Sequence, residues 1–537
     1  MDSISNPNRD PFADQYSNNS GDSLASEATL TVGRNASLTL ATDSLIVLGP
    51  YSGPIQAQGR RANVFYLDEG LSKRDRRKCC GLLANKTKAT RVIPLFNVLW
   101  ADLSDLDVTI CYAQSFSNQI VRPAFINYPL EKTDGTKAKA WIKRLVDRAY
   151  NNSQRCKRVK LLINSFSGVG SAQKIYLRDI EPILAAGRCQ IDVERTLYQG
   201  HAVDIAERLN IDAYDVVACC SGDGVPHEVF NGLGKRRDAR RALAKVAVVQ
   251  LPCGSGNAMS WNLFGTGSPS LAALSIVKGL ATPMDLISIT QGDRRTLSFL
   301  SQSVGIVAEM DLATENLRWM GSARFTYGFL VRVLGKTIYP CDIAVKVEMD
   351  DKNAIKEHYQ RELDNHAGAA ERRGCAAARN TPSGESSSAE SDDIGLPPLQ
   401  YGSATDDLPA DWSLVPYDNL GNFYAGNMAY MAADTNFFPA ALPNDGCLDL
   451  ICIPGDISRL AAIQCLTAVQ SRTLFDKAHV SYRKLAGYRI IPKAPKPGYI
   501  SIDGERVPFE PFQAEVHKGL GTVLSKTGHV YEALGPA

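Results

Sequence analysis

Residues 1–43 are rich in Ser, Asn, Asp and Thr and show neither helical nor strand periodicity, so they read as a disordered leader. Apolar character begins at Ser44 with SLIVLG and returns at Asn63–Tyr66, Ala89–Leu99 and Val108–Tyr112. β-branched and aromatic clusters separated by polar turns predict strands, and residues 44–150 read as a β-rich region. From Val159 strand and helix alternate. Val159–Ile163 is a short apolar strand, followed by a helical pattern in Ile175, Leu177, Ile180, Ile183 and Leu184, with Gly187 at the helix C-terminus. Ile191–Glu194 and Val216–Cys220 are further strands, with His201–Leu209 a helix between them. Val246–Leu251 is the fourth strand. Alternation at this spacing predicts a mostly parallel sheet covered by helices over residues 155–290. After about Pro283 strand patterns dominate: MDLISIT, TLSFLSQSVGI, DIAVKVEMD, CLDLICI, YRIIPK and YISID. Residues 291–537 read as a second, β-dominated domain, with helical patterns at Asn316–Leu334 and Ile457–Phe475. The Ala-, Gly- and Ser-rich stretch 352–409 reads as a disordered insertion.

Composition narrows the class. The 537 residues allow roughly three to four domains. A hydrophobic fraction of 44% and a charged fraction of 22% are ordinary for a globular protein. Lys and Arg number 59 against 57 Asp and Glu, so the whole molecule is not a polycation, which argues against nucleic acid as its partner. No apolar run approaches the roughly 18 residues of a membrane-spanning helix. The 13 cysteines are scattered, without repeated CxxC spacing, and the expected setting is a reducing, intracellular one. One local exception is SKRDRRKCCGLL, Ser72–Leu83. Five cations precede adjacent Cys79 and Cys80. This is either a solvated basic loop or a peripheral membrane anchor, in which cations attract anionic lipid and acylated cysteines supply the second signal.

The candidate chemistry lies in three glycine turns, each at the C-terminal end of a strand, where open α/β sheets bind ligands. They are Asn164-Ser-Phe-Ser-Gly-Val-Gly170, Ser221-Gly-Asp-Gly224 and Gly254-Ser-Gly-Asn257. Glycine lets backbone amides approach a phosphate. A tight turn alone explains any one of them; three in one α/β unit, each with a short polar donor, point to phosphate binding. Asp223 lies between two glycines at the end of a buried strand. It could hold a metal, position a nucleotide, accept a proton from an attacking hydroxyl, or merely cap the next helix.

The string SGDGVPHEVFNGL, with LPCGSGNAMS downstream, resembles the diacylglycerol kinase catalytic family, and within it most closely the sphingosine kinases, or sphingoid long-chain-base kinases. His227, Glu228, Asn231, Gly232 and Leu233 fit that branch's HEVxNGL extension. Ala308–Arg318 with Gly321, Arg324 and Phe325 fits its substrate and phosphate segment, and Ile502–Glu505 its C-terminal DGE. The resemblance covers about 159–347 and 417–530. It implies an α/β nucleotide-binding domain resembling NAD kinases and phosphofructokinases, followed by a β-sandwich lipid-binding domain. The implied reaction is transfer of the ATP γ-phosphate, with Mg²⁺, to the primary hydroxyl of a sphingoid base, by a protein in the cytoplasm and peripherally on intracellular or plasma membranes. Asp223 then matches the general base. Asn164, Ser167, Gly168, Gly170, Thr196, Ser221, Gly222, Gly224, Gly254, Ser255, Gly256, Arg318, Arg324, Asp503, Gly504 and Glu505 match nucleotide contacts, with Glu505 near the metal. Asp311 matches the acid that recognises the ammonium head of the base.

The first turn departs from the family pattern NPxSGxGxA: Ser165 replaces the proline, and Val169 and Ser171 replace basic residues of some members. Leu197 stands where an acid usually follows Thr196. Competing readings are a diacylglycerol or ceramide kinase, a soluble NAD kinase, and an inactive lipid-binding protein. A P-loop, an HExxH zinc motif and a GxSxG elbow are all absent.

Overall fold

The computed structural model describes residues 28–33, 36–49, 89–105, 107–130, 134–164, 171–313, 338–376, 394–478, 480–493 and 498–536; the side chains of 89, 310–313, 366–376, 459, 462 and 466 are not among those described. The chain folds as two compact units divided between Asn151 and Asn152.

The first unit pairs β1 (Thr29–Val32), β2 (Ala36–Leu40), β3 (Ser44–Gly49) and β4 (Ala89–Pro94) in one antiparallel sheet. A second sheet joins β5 (Val98–Leu103), β6 (Asp107–Ser117) and β7 (Ile120–Pro129). Helix α1 (Gly135–Tyr150) follows. It buries Ala138, Trp141, Ile142, Leu145, Val146, Ala149 and Tyr150, the three- and four-residue spacing of an amphipathic helix. Trp141 donates its indole N–H to the Ala28 carbonyl at 2.9 Å, and Tyr150 its hydroxyl to the Leu99 carbonyl at 2.8 Å. The leader expectation is therefore corrected for residues 28–43. The alternation ASLTL buries every second residue of β2, and burying that face outweighs the polar composition. Residues 1–27 and the strand expected at Asn63–Tyr66 lie outside the described residues.

In the second unit four parallel strands lie in the order β11-β10-β8-β9. They are β8 (Arg158–Asn164), β9 (Gln190–Thr196), β10 (Val216–Ser221) and β11 (Ala247–Pro252). Every residue of β10 and β11 is buried, which is why both read as unbroken apolar runs. Between the strands run helices α2 (Ala172–Ile175), α3 (Glu181–Ala186), α4 (His201–Glu207), α5 (Gly224–Gly234) and α6 (Ala239–Lys245); a π-turn over Tyr176–Ile180 joins α2 to α3. After β11 come α7 (Ala258–Phe264) and α8 (Pro269–Lys278). Gly187 does close α3, but not by a left-handed conformation: its φ is −72°, and Arg188 takes φ 56° instead. The glycine is needed for packing, since a Cβ there would stand 2.7 Å from Val277 Cγ2.

The β-dominated half begins at β12 (Leu280–Gln291), ahead of the expected boundary. It continues through β13 (Arg294–Ser298), β14 (Ser301–Gly305), helix α9 (Ile306–Ala313), β15 (Cys341–Met349), β16 (Ser413–Tyr417) and β17 (Leu420–Gly426). A small hairpin, β18 (Tyr430–Ala432) and β19 (Thr435–Asn436), precedes β20 (Leu448–Pro454), β21 (Ser481–Pro492), β22 (Ile500–Ile502), β23 (Glu505–Val507) and β24 (Phe512–Ser525). Eleven of these strands are hydrogen-bonded into one sheet, in the order β13-β12-β24-β21-β20-β17-β14-β22-β23, with β15 on β21 and β16 on β15. Val304, Phe423, Leu450, Tyr488, Ile502 and Phe512 share a single hydrophobic core built from this sheet.

The insertion reading is corrected at both ends. Lys352–Ala376 is a helix. Residues 394–409 are stitched to the sheet: Glu515 accepts the Gln400 and Tyr401 amides at 3.0 Å each, and Arg489 donates to the Ser403 and Asp406 carbonyls at 2.9 and 2.7 Å. These backbone groups are held by side chains of β21 and β24, partners that local composition does not reveal. Residues 377–393 lie outside the described residues, as does the whole of the helix expected at Asn316–Leu334.

One buried charge group underlies this half. Lys484 contacts Asp445 at 2.7 Å and Asp449 at 3.1 Å, and all three side chains are fully buried. Burial alone would push the Lys484 ammonium down, but the two acids hold it well above its ordinary value. Burial pushes Asp449 up to about 6 despite the lysine. Lys484→Met is expected to strand both acids and destabilise the fold by about 3–5 kcal/mol. Urea unfolding measures it; a loss below about 0.5 kcal/mol would show that the acids simply neutralise.

Candidate active site

The strand register sets one row across the C-terminal edge of the parallel sheet. Asn164 pairs with Thr196, and Ser221 with Pro252, while Cys220 pairs with Ile163, so Thr196, Asn164, Ser221 and Pro252 lie level. Two glycine turns leave this row side by side. A Cβ on Gly254 would fall 2.5 Å from Gly222 Cα, so neither turn has room for a side chain at the contact. Asn257 closes the second turn with φ 55°. Its Oδ1 accepts the Gly254 amide at 2.9 Å and its Nδ2 donates to the Gly254 carbonyl at 2.8 Å.

Asp223 stands at the N-cap of α5 but makes no side-chain cap bond there. Its carboxylate instead crosses to the neighbouring turn. Oδ2 accepts the Ala258 amide at 3.1 Å and Oδ1 the Met259 amide at 3.0 Å, the first amides of α7. The capping alternative thus holds for a different helix from the one that follows in sequence. Gln250, fully buried in β11, steadies the same junction: its Oε1 accepts the Ser260 amide at 3.1 Å, and its amide also hydrogen-bonds Asp223. Burial pushes the Asp223 carboxyl above its ordinary value, against the pull of these donors, and the nearby Asp503 charge adds to the rise. A carboxylate raised in this way and partly exposed at the C-terminal edge of the sheet can take a proton from a hydroxyl.

A pair of carboxylates comes from the turn between β22 and β23. Asp503 and Gly504 take φ of 51° and 86°, the consecutive left-handed residues of a tight hairpin turn. The turn sends Asp503 inward, where it is 3% exposed, and leaves Glu505 exposed. Glu505 reaches Gly224: its Oε1 lies 3.4 Å from where a Cβ would sit on that glycine. Asp503 Oδ1 accepts the Ser298 hydroxyl at 2.6 Å and the Leu300 and Ser301 amides at 3.0 Å. Its Oδ2 accepts the Phe299 amide at 3.0 Å and pairs with His227 Nδ1 at 2.8 Å. The expected nucleotide contact at Asp503 is corrected accordingly: both oxygens are engaged by protein donors, and the residue acts as a buried clamp that sets Glu505. Asn231 extends the clamp, donating to the Leu297 carbonyl and accepting the Leu297 amide, both at 2.8 Å.

Of the other expected residues, Thr196 is buried at the end of β9, and the Ser221 hydroxyl turns onto the Gly222 carbonyl at 2.7 Å. Ser255 is exposed on its turn. Asp311 falls in the last turn of α9, its side chain not among those described. Ser167, Gly168, Gly170, Arg318, Arg324, Cys79 and Cys80 lie outside the described residues. Sequence reasoning gave no role to Gln250, His227 or Asn231. Gln250 carried a signal, being the only polar side chain in AVVQLP, an otherwise apolar strand. Among the described residues no group of three or more His, Cys, Asp or Glu could cage a metal ion.

Residues 158–289 match the Diacylglycerol kinase catalytic domain, and residues 28–151 match a Domain of unknown function (DUF7493). Asp223 and its glycine turns therefore belong to a catalytic domain of the lipid-kinase class. Sphingoid long chain base kinase 5 of Saccharomyces cerevisiae is 36% identical over 430 residues, which span 72% of this chain and 62% of that protein. Sphingoid long chain base kinase 4 of Schizosaccharomyces pombe is 31% identical over 450 residues, 83% of this chain and 90% of that protein. Sphingosine kinase 1 of Arabidopsis thaliana is 28% identical over 398 residues, 69% and 76% of the two chains. The chain belongs to the sphingoid long-chain-base kinase family.

The clamp titrates. Burial alone would lower the His227 pKa, but Asp503, with Glu505 and Glu228 behind it, raises it above the ordinary value. A raised basic group stabilises fully below its unfolded value, about 6.5, and that contribution fades as pH climbs through the folded value. Thermal melts from about pH 6 to about pH 9 should show this fade in the wild type and not in His227→Gln. Parallel curves for the two proteins would show that the pair carries no charge.

Proposed function

We propose that the chain transfers the γ-phosphoryl group of ATP to the primary hydroxyl of a sphingoid long-chain base, giving the base 1-phosphate and ADP. The observation that carries this reading is the Asp223 carboxylate, held where two side-chain-free glycine turns meet at the C-terminal edge of the sheet, with Glu505 beside it. The lipid oxygen attacks the γ-phosphorus, its proton passes to Asp223, and the bond to the β,γ-bridging oxygen breaks, leaving that electron pair on ADP. The raised affinity of Asp223 for protons suits the task. Phosphoryl transfer needs mostly positioning and charge stabilisation. Backbone amides of the glycine turns serve that purpose, including Ser167, Gly168 and Gly170, as do Arg318 and Arg324, whose forked guanidinium groups suit phosphate. Asn164 and Thr196 flank the nucleotide. Glu505 is the residue to hold Mg²⁺, which would neutralise phosphate charge and take most of its ligands from phosphate oxygens and water.

Asp311 is the residue assigned to pair with the ammonium of the lipid in this scheme. A sphingoid base carries that charge, whereas diacylglycerol and ceramide do not, so a carboxylate there discriminates between them. The β-dominated half, whose sheet packs its core around Phe423 and Tyr488, receives the alkyl chain in this reading. No helix among the described residues is long and apolar enough to cross a membrane. An amphipathic substrate has to be collected from a bilayer surface, so in this reading the protein works peripherally, with the basic segment before Cys79 and Cys80 as its anchor.

A radiolabelled ATP assay against sphinganine, phytosphingosine, ceramide and diacylglycerol tests the reaction. Product is expected from the two bases only. Asp223→Asn should lower kcat by about 10²–10⁴-fold. Absence of product from every sphingoid base would remove the reading, and full activity of Asp223→Asn would remove the base assignment. The wild-type kcat should fall on the acid side at a pH above the ordinary carboxylate range, because the folded Asp223 holds its proton more tightly. Separately, Cys79→Ser/Cys80→Ser should pellet less with membranes; equal pelleting would reject the anchor.

A further inference from the structure

We infer that Gln250 is a positioning residue for the phosphoryl transfer: its amide fills one lone pair of the Asp223 carboxylate, so that a single lone pair is left, on the exposed side, to receive the proton of the lipid hydroxyl. This deepens the kinase reading and rests on it for the identity of that hydroxyl.

An ionised carboxylate has about four acceptor sites. At Asp223 three of them are taken by donors of the protein itself. The Ala258 amide fills one on Oδ2 at 3.1 Å, the Met259 amide fills one on Oδ1 at 3.0 Å, and the Gln250 side chain takes the third. Gly256 passes over Oδ2: a Cβ there would lie 3.4 Å from it, and a glycine leaves that approach uncovered. Asp223 is half-buried, so the remaining site is the one that meets solvent. All three partners donate to the carboxylate, which therefore has no internal acceptor to pass a proton to. A proton gained from a hydroxyl stays on the open site until it leaves by the same side.

The sense of the Gln250 amide is fixed at both ends. Its Oε1 accepts the Ser260 amide at 3.1 Å, and its Nε2 donates to the Ser221 carbonyl at 3.4 Å. Turned over, the group would set oxygen against oxygen at Ser221 and Asp223, and nitrogen against the Ser260 N–H. Only the NH2 group can face the carboxylate. Gln250 is fully buried, and the β10–β11 ladder beside it is built from backbone groups. Burying a primary amide is costly unless it is paired, so its place in an apolar strand is explained by the partners it serves.

The donor also governs the charge of the base. Burial and the Asp503 charge push the Asp223 carboxyl above its ordinary value, while Gln250 and the two backbone amides pull it back. The other ionisable groups around it are Asp503 and Glu505 on the β22–β23 turn, His227 one turn along α5, and the Cys220 and Cys253 thiols beside the two glycine turns; α7 carries none. Without the Gln250 donor, Asp223 would keep a proton at higher pH and could not take another.

Carbon-13 NMR titration of the full chain labelled at aspartate follows the carboxyl without any turnover, with Asp223→Asn assigning its signal. Gln250→Met, which keeps the length of the side chain and loses the amide, should move the Asp223 midpoint up by roughly one to two pH units, the worth of one hydrogen bond to a charged group. The acid limb of kcat should move by the same amount, with KM for ATP unchanged and kcat recovering at alkaline pH. Gln250→Asn, withdrawn by one methylene, should shift both in the same direction and serves if Gln250→Met does not fold. A midpoint and limb that stay in place in a folded variant overturn the proposal, and so does a loss of kcat that is equal at every pH; either would leave Gln250 as a cap for α7 alone. Failure of the kinase reading has a different signature: the midpoint shifts but no sphingoid base is phosphorylated.

Discussion

A single buried carboxylate holds the catalytic half and the sheet half in register. Asp503 takes donors from the end of β13 and the turn into β14, and pairs with His227 on α5. An unpaired charge at that depth would be untenable, so the three segments have to arrive together or not at all. The constraint reaches the reaction centre by short links. Asp223 begins α5, one helical turn before His227. Glu505 is two residues from Asp503, on the outer arm of the same hairpin. The two acids of the site therefore take their relative position from a third acid that does not face it.

The glycine turns show a second economy. In most strand-to-helix turns a short polar side chain caps its own helix. Asp223 caps α7, thirty-odd residues downstream, and Asn257 buckles the intervening turn into a left-handed residue so that this is possible. Gln250 adds a donor from below, in a strand whose other residues are apolar and buried. The result is a carboxylate whose orientation is fixed by two strands and a helix and whose proton affinity is raised by the burial that this fixing demands.

Much of this was readable from the residues and some was not, and the division has a physical basis. Strands buried on both faces must be continuous apolar runs, and turns that touch backbone to backbone must be glycine, so Val216–Cys220, Val246–Leu251 and the motifs after them were plain. Asp223 was identifiable because only a functional or capping acid belongs between two such glycines. The clamp was not, because His227 and Asp503 meet across 276 positions of sequence. No local period reports such a contact. The same limit explains the ends of the insertion: residues 394–409 look like linker by composition and are ordered by Glu515, Arg489 and Gln513. The segment Ala28–Asp43 failed in the opposite way, since short Thr-rich strands do alternate but over too few residues to stand out.

β15 and β16 are antiparallel neighbours, with Cys341 opposite Tyr417, although more than sixty residues separate them along the chain. The helix Lys352–Ala376 leaves one strand, and the stitched segment 394–409 returns to the other, so both approaches to the excursion are anchored independently of its middle. Loop-closure entropy grows only with the logarithm of length, about 0.6 kcal/mol per doubling. Between those anchors the chain can lengthen or shorten over evolutionary time at almost no thermodynamic penalty. A change of length inside that excursion leaves the clamp, the turns and the sheet of this chain untouched, because among the described residues none of them draws a partner from between its two anchored ends.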